Sequence, residues 1–555
     1  MRLSLLAAAA LLAASPVAAQ ATQSARPGDW GAYLAARQAA VRLDTAAAAD
    51  FMARALAADP DSPELVAGAM LAALADGRDL QAVLLARRQS ATGQPSLAAS
   101  LILLAEEVRS GRFTEAGRRA AALPRQSAGP ILSPVLAAWA AAGEGDPARG
   151  FEILQPLAEG ARLKGFYAIN AALLADRAGR HDEAAQLVAA VRQEQLPGIL
   201  VLRLAEIAAG RGDPADAGGI EAELGEGADD SGIVQGRLSG APPPVPDAAA
   251  GIAETFFMLA ALVRAQDSAE FTLLLTRLAL MVRPSHAGAL LLLADALDTD
   301  DRHEAAAAAL GHIRESDPLW PLARLRAALL MDRAGATDQA LDTLRKLAEA
   351  LPERPQPWAR MGDILRGRKR YAEAADAYTQ ALARLPQPRA PRTWAVLFAR
   401  AMALERTQQW DRAEADLKAA LALAPDQPYV LNYLAYTWVD RGEHLDQGKA
   451  MLERAVELAP NDGQIIDSLG WALFRLGDFP GAVARLERAV ELAAADPVIN
   501  DHLGDAYWRV GRRAEARFQW QRALAAKPEP ELAGAIEKKL AEGLPDLPAT
   551  PSATR

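Results

Sequence analysis

The amino-acid sequence predicts an all-α solenoid, about fourteen stacked helix-turn-helix hairpins arranged in two arrays. Three observations carry that expectation. Apolar residues make up 51% of the 555 positions but aromatics only 5%, because alanine dominates; alanine favours helix and lets helices approach closely. A small residue recurs at Ala260, Ala294, Ala328, Gly362, Ala401, Ala435, Gly470 and Gly504, in steps of 34, 34, 34, 39, 34, 35 and 34. Helix-ending prolines at Pro284, Pro318, Pro352, Pro386, Pro425, Pro460 and Pro528 keep the same phase. A fixed period of this length marks a repeat architecture, in which each hairpin buries its apolar face only against its neighbours.

Taken in order, the chain opens with Arg2, an apolar run over residues 3–14, Ser15-Pro16, and the small residues Val17-Ala18-Ala19. That pattern predicts a signal peptide over residues 1–19, cut after Ala19, and hence a periplasmic protein. The run is shorter than the roughly 20 apolar residues that span a bilayer, and no other window predicts a transmembrane segment. Residues 20–29 form a polar lead-in. A degenerate array is expected over 30–224, with Pro60 closing its first hairpin. Glycines in the inter-helix turns, at Gly77, Gly111, Gly145 and Gly179, lie 34 residues apart, and second helices open with Ala82, Ala116, Gly150 and Ala184.

Residues 225–250 hold Gly232, Gly236, Gly240, Pro242, Pro243, Pro244 and Pro246 and cannot continue a helix. They read as an insertion or hinge between the arrays. The second array covers 251–528, and its two irregular steps come from extra residues within 386–391 and 442–448. Residues 529–542 predict a polar capping helix carrying Glu537, Lys538 and Lys539. The three prolines in 543–555 predict a disordered tail.

The formal charge of -10 disfavours nucleic acid as a partner. Cysteine is absent, which removes disulfides, thiolate metal sites and thiol nucleophiles together. The six histidines, at 181, 286, 303, 312, 444 and 502, have no compact metal spacing, and neither a nucleophile elbow nor a phosphate-binding loop occurs. No cofactor is called for, and the expectation is a protein that is not an enzyme.

One stretch defines the repeat most clearly. Trp358, Met361, Gly362, Leu365, Ala374, Tyr378 and Pro386 follow the pattern W-x2-L-G-x2-Y, A-x3-F, P. It resembles the tetratricopeptide (TPR) repeat. The resemblance implies a right-handed superhelix in which first helices line a concave groove and second helices face outward. Over residues 431–524, the runs Asp467-Ser468-Leu469-Gly470-Trp471, Leu486-Glu487-Arg488-Ala489 and His502-Leu503-Gly504, with Gly511-Arg512-Arg513 and Ala516, resemble TPR proteins of Gram-negative cell envelopes. Within that group the likeness is to an outer-membrane lipoprotein that serves as adaptor of a carboxyl-terminal processing protease. Such adaptors begin with a lipid-modified cysteine, and this chain has no cysteine.

The candidate site follows from helical spacing. In the hairpin starting near Asp462, Ile466, Leu469, Gly470 and Leu473 form one stripe, and Asp467, Trp471 and Phe474 form a second one residue offset. The preceding first helix carries Tyr429, Asn432, Tyr433 and Tyr436; the following one carries Asp501, His502, Asp505, Trp508 and Arg509. With Gln464 and Arg475 these residues make a partner-binding groove of rings, carboxylates and arginines, a composition suited to a peptide or protein partner. Eight of the 29 aromatic residues lie in residues 1–250 and 21 in the rest, which favours the C-terminal array as the binding part. The predicted function is a protein-protein interaction scaffold or adaptor in the cell envelope, its partner a periplasmic protease or a cell-wall hydrolase. The alternative is an accessory subunit or enzyme of peptidoglycan or exopolysaccharide processing, with a site near 185–250.

Overall fold

The computed structural model describes residues 29–93, 96–160, 163–192, 197–210, 231–234, 245–264, 269–299, 301–385 and 393–545. The expected signal segment, nearly all of the lead-in, most of the glycine- and proline-rich stretch, the excess at 386–391 and the tail from 546 onward lie outside the described residues. Among those described, the chain forms 28 α-helices, one 3-10 turn at Ser231–Val234 and no strand. Contacts divide it into two compact units, one ending at Pro352 and one beginning at Glu353.

The first unit starts with five hairpins: α1 (Trp30–Val41) and α2 (Thr45–Ala58), α3 (Pro63–Asp76) and α4 (Asp79–Ala91), α5 (Leu97–Arg109) and α6 (Phe113–Ala121), α7 (Gly129–Gly143) and α8 (Pro147–Gly160), α9 (Lys164–Arg177) and α10 (His181–Val191). Helix α11 (Gly198–Gly210) follows, and then α12 (Ala248–Arg264) and α13 (Ala269–Val282), α14 (Ala287–Thr299) and α15 (His303–Gly311), α16 (Trp320–Arg333) and α17 (Thr337–Ala350). The turn glycines stand where the sequence puts them. Gly77, Gly111, Gly145 and Gly179 have φ of +78°, +74°, +99° and +75°, the left-handed geometry that reverses the chain between two helices.

Composition sets a break at 225–250, and the described residues on both sides of it belong to the first unit. Helices α12 and α13 turn back and pack on the first helices of the early hairpins, α12 on α7 and α9, α13 on α3 and α5. The cause is visible in α12, which buries an unbroken run from Ala250 to Ala261. A helix that is apolar all round must be surrounded, and α5 and α9 are similarly buried on several faces.

A polar junction fixes the docking of α12. Trp139 Nε1 donates to Asn170 Oδ1 at 2.8 Å, Thr255 Oγ1 donates to the same oxygen at 3.0 Å, and Asn170 Nδ2 donates to the Phe166 carbonyl at 2.9 Å. Gly251 lets the backbone of α12 lie on the Trp139 ring, where a side chain would begin 2.3 Å from ring carbon. Beside it, Glu254 receives both Arg203 and His286 at 3.0 Å. Further along, Arg277 Nε donates to the Ala75 carbonyl at the end of α3 at 2.8 Å.

The second unit is a row of hairpins: α18 (Gln356–Gly367) and α19 (Tyr371–Ala383), α20 (Trp394–Arg406) and α21 (Trp410–Leu423), α22 (Pro428–Arg441) and α23 (Leu445–Leu458), α24 (Gly463–Arg475) and α25 (Phe479–Leu492), α26 (Pro497–Arg509) and α27 (Arg513–Ala525), closed by α28 (Pro530–Glu542). The periodic small residue has a measured reason here. A Cβ on Gly362 would lie 2.5 Å from Tyr378, one on Gly470 2.6 Å from Leu486, and one on Gly504 2.4 Å from Trp520. Each first helix is pressed against its own second helix at that point.

Candidate functional site

The residues singled out by spacing lie on three successive first helices, α22, α24 and α26. Aspartates start two of these helices: Asp462 accepts from the backbone N–H of Gln464 and Ile465, and Asp496 from those of Val498 and Ile499. The last turn of α22 is stopped by Gly442 at φ +74°. The helix-to-helix phase then brings Trp471 and His502 face to face across α24 and α26, their rings 4.1 Å apart and 14° from parallel. Phe474 stacks on the other side of Trp471 at 4.9 Å and 10°. Trp471, Phe474, Tyr436 and Trp508 are half-buried, and Tyr429 is 53% exposed at the start of α22. The rings thus line a surface they do not fully leave.

The carboxylates behave differently from expectation. Their helical offset predicts an exposed acidic face that would repel a peptide carboxylate, yet Asp467, Asp501 and Asp505 are each only 4% exposed. Every one is paired with a basic side chain. Both Asp467 oxygens lie 3.0 Å from His502 Nδ1. Lys539, arriving from α28, donates to Asp501 at 2.8 Å and to Asp505 at 2.8 Å, and Trp520 Nε1 donates to the other Asp505 oxygen at 2.9 Å. Lys539 was legible only as part of a polar cap, because a 34-residue period says which residues share a face and not what comes to cover them.

The electrostatics follow from this crowding. Burial, with the adjacent Asp501 charge, pushes the Asp505 carboxyl up to about 6. Burial works against a charged His502, but the Asp467 carboxylate outweighs it and raises the imidazole above its ordinary value. Burial and the carboxylates Asp440 and Asp467 push the Tyr436 phenol up to about 12, so it remains a neutral donor.

The remaining candidates spread along the same face. Tyr433 donates to Glu405 at 3.1 Å and meets the Phe398 ring edge-on at 5.6 Å, extending the aromatic row to α20. Phe398 in turn lies 6.4 Å from Trp394. Neither Phe398 nor Trp394 was singled out from sequence, although both stand in the equivalent helix. Arg475 bonds Asp440 at 3.0 Å and its carbonyl at 3.1 Å. Gln464 bonds Asp496 at 2.6 Å at the exposed rim. Arg509 donates to the Pro545 carbonyl at 2.7 Å. Asn432 Oδ1 is buried with no hydrogen-bond partner.

Comparison with known proteins agrees with this architecture. Tetratricopeptide-repeat family profiles match residues 359–428, 398–463 and 468–531, and a related repeat profile matches 322–353. The matched segments of this chain are tetratricopeptide repeats. It is 27% identical over 156 residues to the TPR repeat-containing protein PA4667 of Pseudomonas aeruginosa, a match covering 28% of this chain and 26% of that protein. Among solved structures it is similar to the Cut9–Hcn1 hetero-tetramer of the APC/C, at 14% identity and a TM-score of 0.38 over 97% of this chain and 98% of that one. A tetratricopeptide repeat protein of Parabacteroides merdae matches 45% of this chain and 96% of its own length, with 15% identity and a TM-score of 0.37.

Proposed function

We propose that the protein is a non-catalytic interaction scaffold that binds a protein or peptide segment along the ring-bearing face of α20, α22 and α24. One observation carries this reading. The first helices of the early hairpins are covered by α12 and α13, whereas the tetratricopeptide hairpins of the second unit keep a row of half-exposed rings on theirs. A preformed row of rings costs little to order on binding, and aromatic anchors contribute most of the affinity at such surfaces. The leader-like N-terminal sequence supports a periplasmic location, and the likeness to envelope adaptors supports a protease or cell-wall hydrolase as partner class.

The test is capture of partners from a cell-envelope extract by the full chain and by a Tyr429→Ala, Tyr436→Ala, Trp471→Ala variant whose helical content is verified by circular dichroism. The variant is expected to lose partners that the parent retains. Unchanged capture by a folded variant would overturn the assignment of the site.

A further inference from the structure

Helix α1 is apolar on two opposite sides. Ala32 and Ala36 are buried on the side that packs into the first unit. At about 100° per residue, Trp30, Leu34, Arg37 and Val41 share an arc of about 60° on the other side. Trp30 is 69% exposed there, Leu34 65% and Val41 78%. Five large apolar side chains of the first unit are exposed among the described residues, and three of them stand on this one helix. Their steps of four, three and four residues are those of a seam between two helices. A stripe of this kind needs cover, and the neighbouring chain supplies little. Each later first helix of the early hairpins packs on the second helix before it, α3 on α2, α5 on α4, α7 on α6 and α9 on α8. Helix α1 opens the row. Residues 20–28, Gln-Ala-Thr-Gln-Ser-Ala-Arg-Pro-Gly, carry no apolar side chain larger than that of proline. A lipid surface fits poorly as well, because helices that lie on membranes keep their basic residues on the polar face, whereas Arg37 sits within the stripe.

We propose that this face of α1 pairs antiparallel with the same face of α1 in a second copy of the chain, making a dimer. The stripe is self-complementary in that arrangement. With a two-fold axis between Ala35 and Ala36, Trp30 meets Val41 of the second copy and Leu34 meets Arg37, whose apolar stem covers the leucine while the guanidinium reaches water at the edge. The same axis sets Asp29 against Arg42 of the second copy. Among the described residues Arg42 forms no ion pair, and Asp29, which caps α1 at the Ala32 N–H, has only Arg54 at 3.4 Å as a charged neighbour. Opposite helix directions also bring the N-terminus of each α1 beside the C-terminus of the other, which the helix dipoles favour. A seam of three turns is small beside a permanent interface, so the pairing is reversible and depends on concentration. It does not rest on the reading of the ring row in the second unit.

Sedimentation velocity of residues 20–555 over a concentration series tests the interface. The weight-average mass is expected to rise toward twice that of one chain as concentration increases. Leu34→Asp, at an exposed position and with its helical content verified by circular dichroism, is expected to remain monomeric over the same series. A parent chain that is monomeric throughout, or a dimer that Leu34→Asp leaves unchanged, would overturn the proposal; vesicle binding by such a monomer, lost on Leu34→Asp, would assign the stripe to a lipid surface instead. Orientation is read separately, because the chain has no cysteine of its own. Chains bearing Trp30→Cys and chains bearing Val41→Cys, mixed and oxidised, are expected to give the mixed disulfide in excess of a random distribution. An excess of like pairs, or no disulfide-linked dimer, would overturn the antiparallel pairing. Partner capture by the ring row is expected to survive in Leu34→Asp, so the failure of either reading is visible without the other.

Discussion

At the scale of single residues, the positions with the sharpest consequences are those where backbone meets ring. Gly251→Ala would drive a methyl group into Trp139, 2.3 Å away and fully buried. The ring is also tethered to Asn170 and cannot retreat without breaking that bond. Overpacking of this kind costs about 1–3 kcal/mol, so thermal unfolding of the variant, followed by circular dichroism, should shift to lower temperature. The opposite effect is expected at Gln408, an exposed residue held at φ +62° in the turn between α20 and α21. Other turns of the same row have glycine at this place, Gly442, Gly477 and Gly511. A left-handed conformation costs a side-chain-bearing residue about 1–2 kcal/mol, partly offset by the greater freedom glycine loses on folding. Gln408→Gly should therefore raise the denaturant midpoint modestly with an unchanged m value, and a lowered midpoint would contradict the strain argument.

At the scale of elements, α28 is more than a polar lid on the last hairpin, because Lys539 is the cation for two buried carboxylates. Lys539→Met keeps the length of the side chain and removes the charge, leaving Asp501 and Asp505 buried together. Breaking a buried pair from one side costs about 3–5 kcal/mol, enough to detach a single terminal helix. Hydrogen exchange should report rapid exchange across Pro530–Glu542 with α18 to α23 unchanged. The same element shows what a sequence reveals and what it hides. Gly362, Gly470 and Gly504 were legible as repeat marks because each must yield to one large side chain of its own hairpin. The stripe Asp467, Trp471 and Phe474 was legible from helical spacing. The burial of Asp467, and of Asp501 and Asp505 on the next first helix, was not, because the groups that pair with them, His502 and Lys539, come from neighbouring and terminal helices whose approach leaves no periodic trace. Helix α12 was hidden for the same reason: its apolar residues read as an ordinary repeat, and only tertiary packing shows it filling the inner face of earlier hairpins.

At the scale of the whole molecule, the two units carry buried charge of opposite pH sense. In the first, His286 Nδ1 accepts the Ala289 N–H at 3.1 Å while Nε2 faces Glu254 at 3.0 Å. Burial depresses this imidazole below its ordinary value, against the attraction of Glu254. Burial opposes the Glu254 carboxylate too, but Arg203 and His286 hold its carboxyl below the usual range. A folded pKa below the unfolded one means that stability is present above the unfolded value and lost as pH falls through the folded one. For His286 the loss begins as pH drops below about 6.5, and for Glu254 it adds below about 4.3. In the second unit both shifts run upward. His502 stabilises fully below its unfolded value of about 6.5 and ceases to as pH rises through its elevated folded value. Asp505, raised to about 6, binds its proton more tightly folded than unfolded, so it too favours the folded state as pH falls toward 6 and below. Acidification from pH 8 to 5.5 should therefore weaken protection in α12 and α14 while strengthening it in α24, α26 and α28. Residue-resolved hydrogen exchange, corrected for the intrinsic pH dependence of the exchange rate, measures both in one sample. His286→Gln should flatten the first response and His502→Gln reduce the second; parallel pH responses in both units would show that these buried pairs do not govern stability.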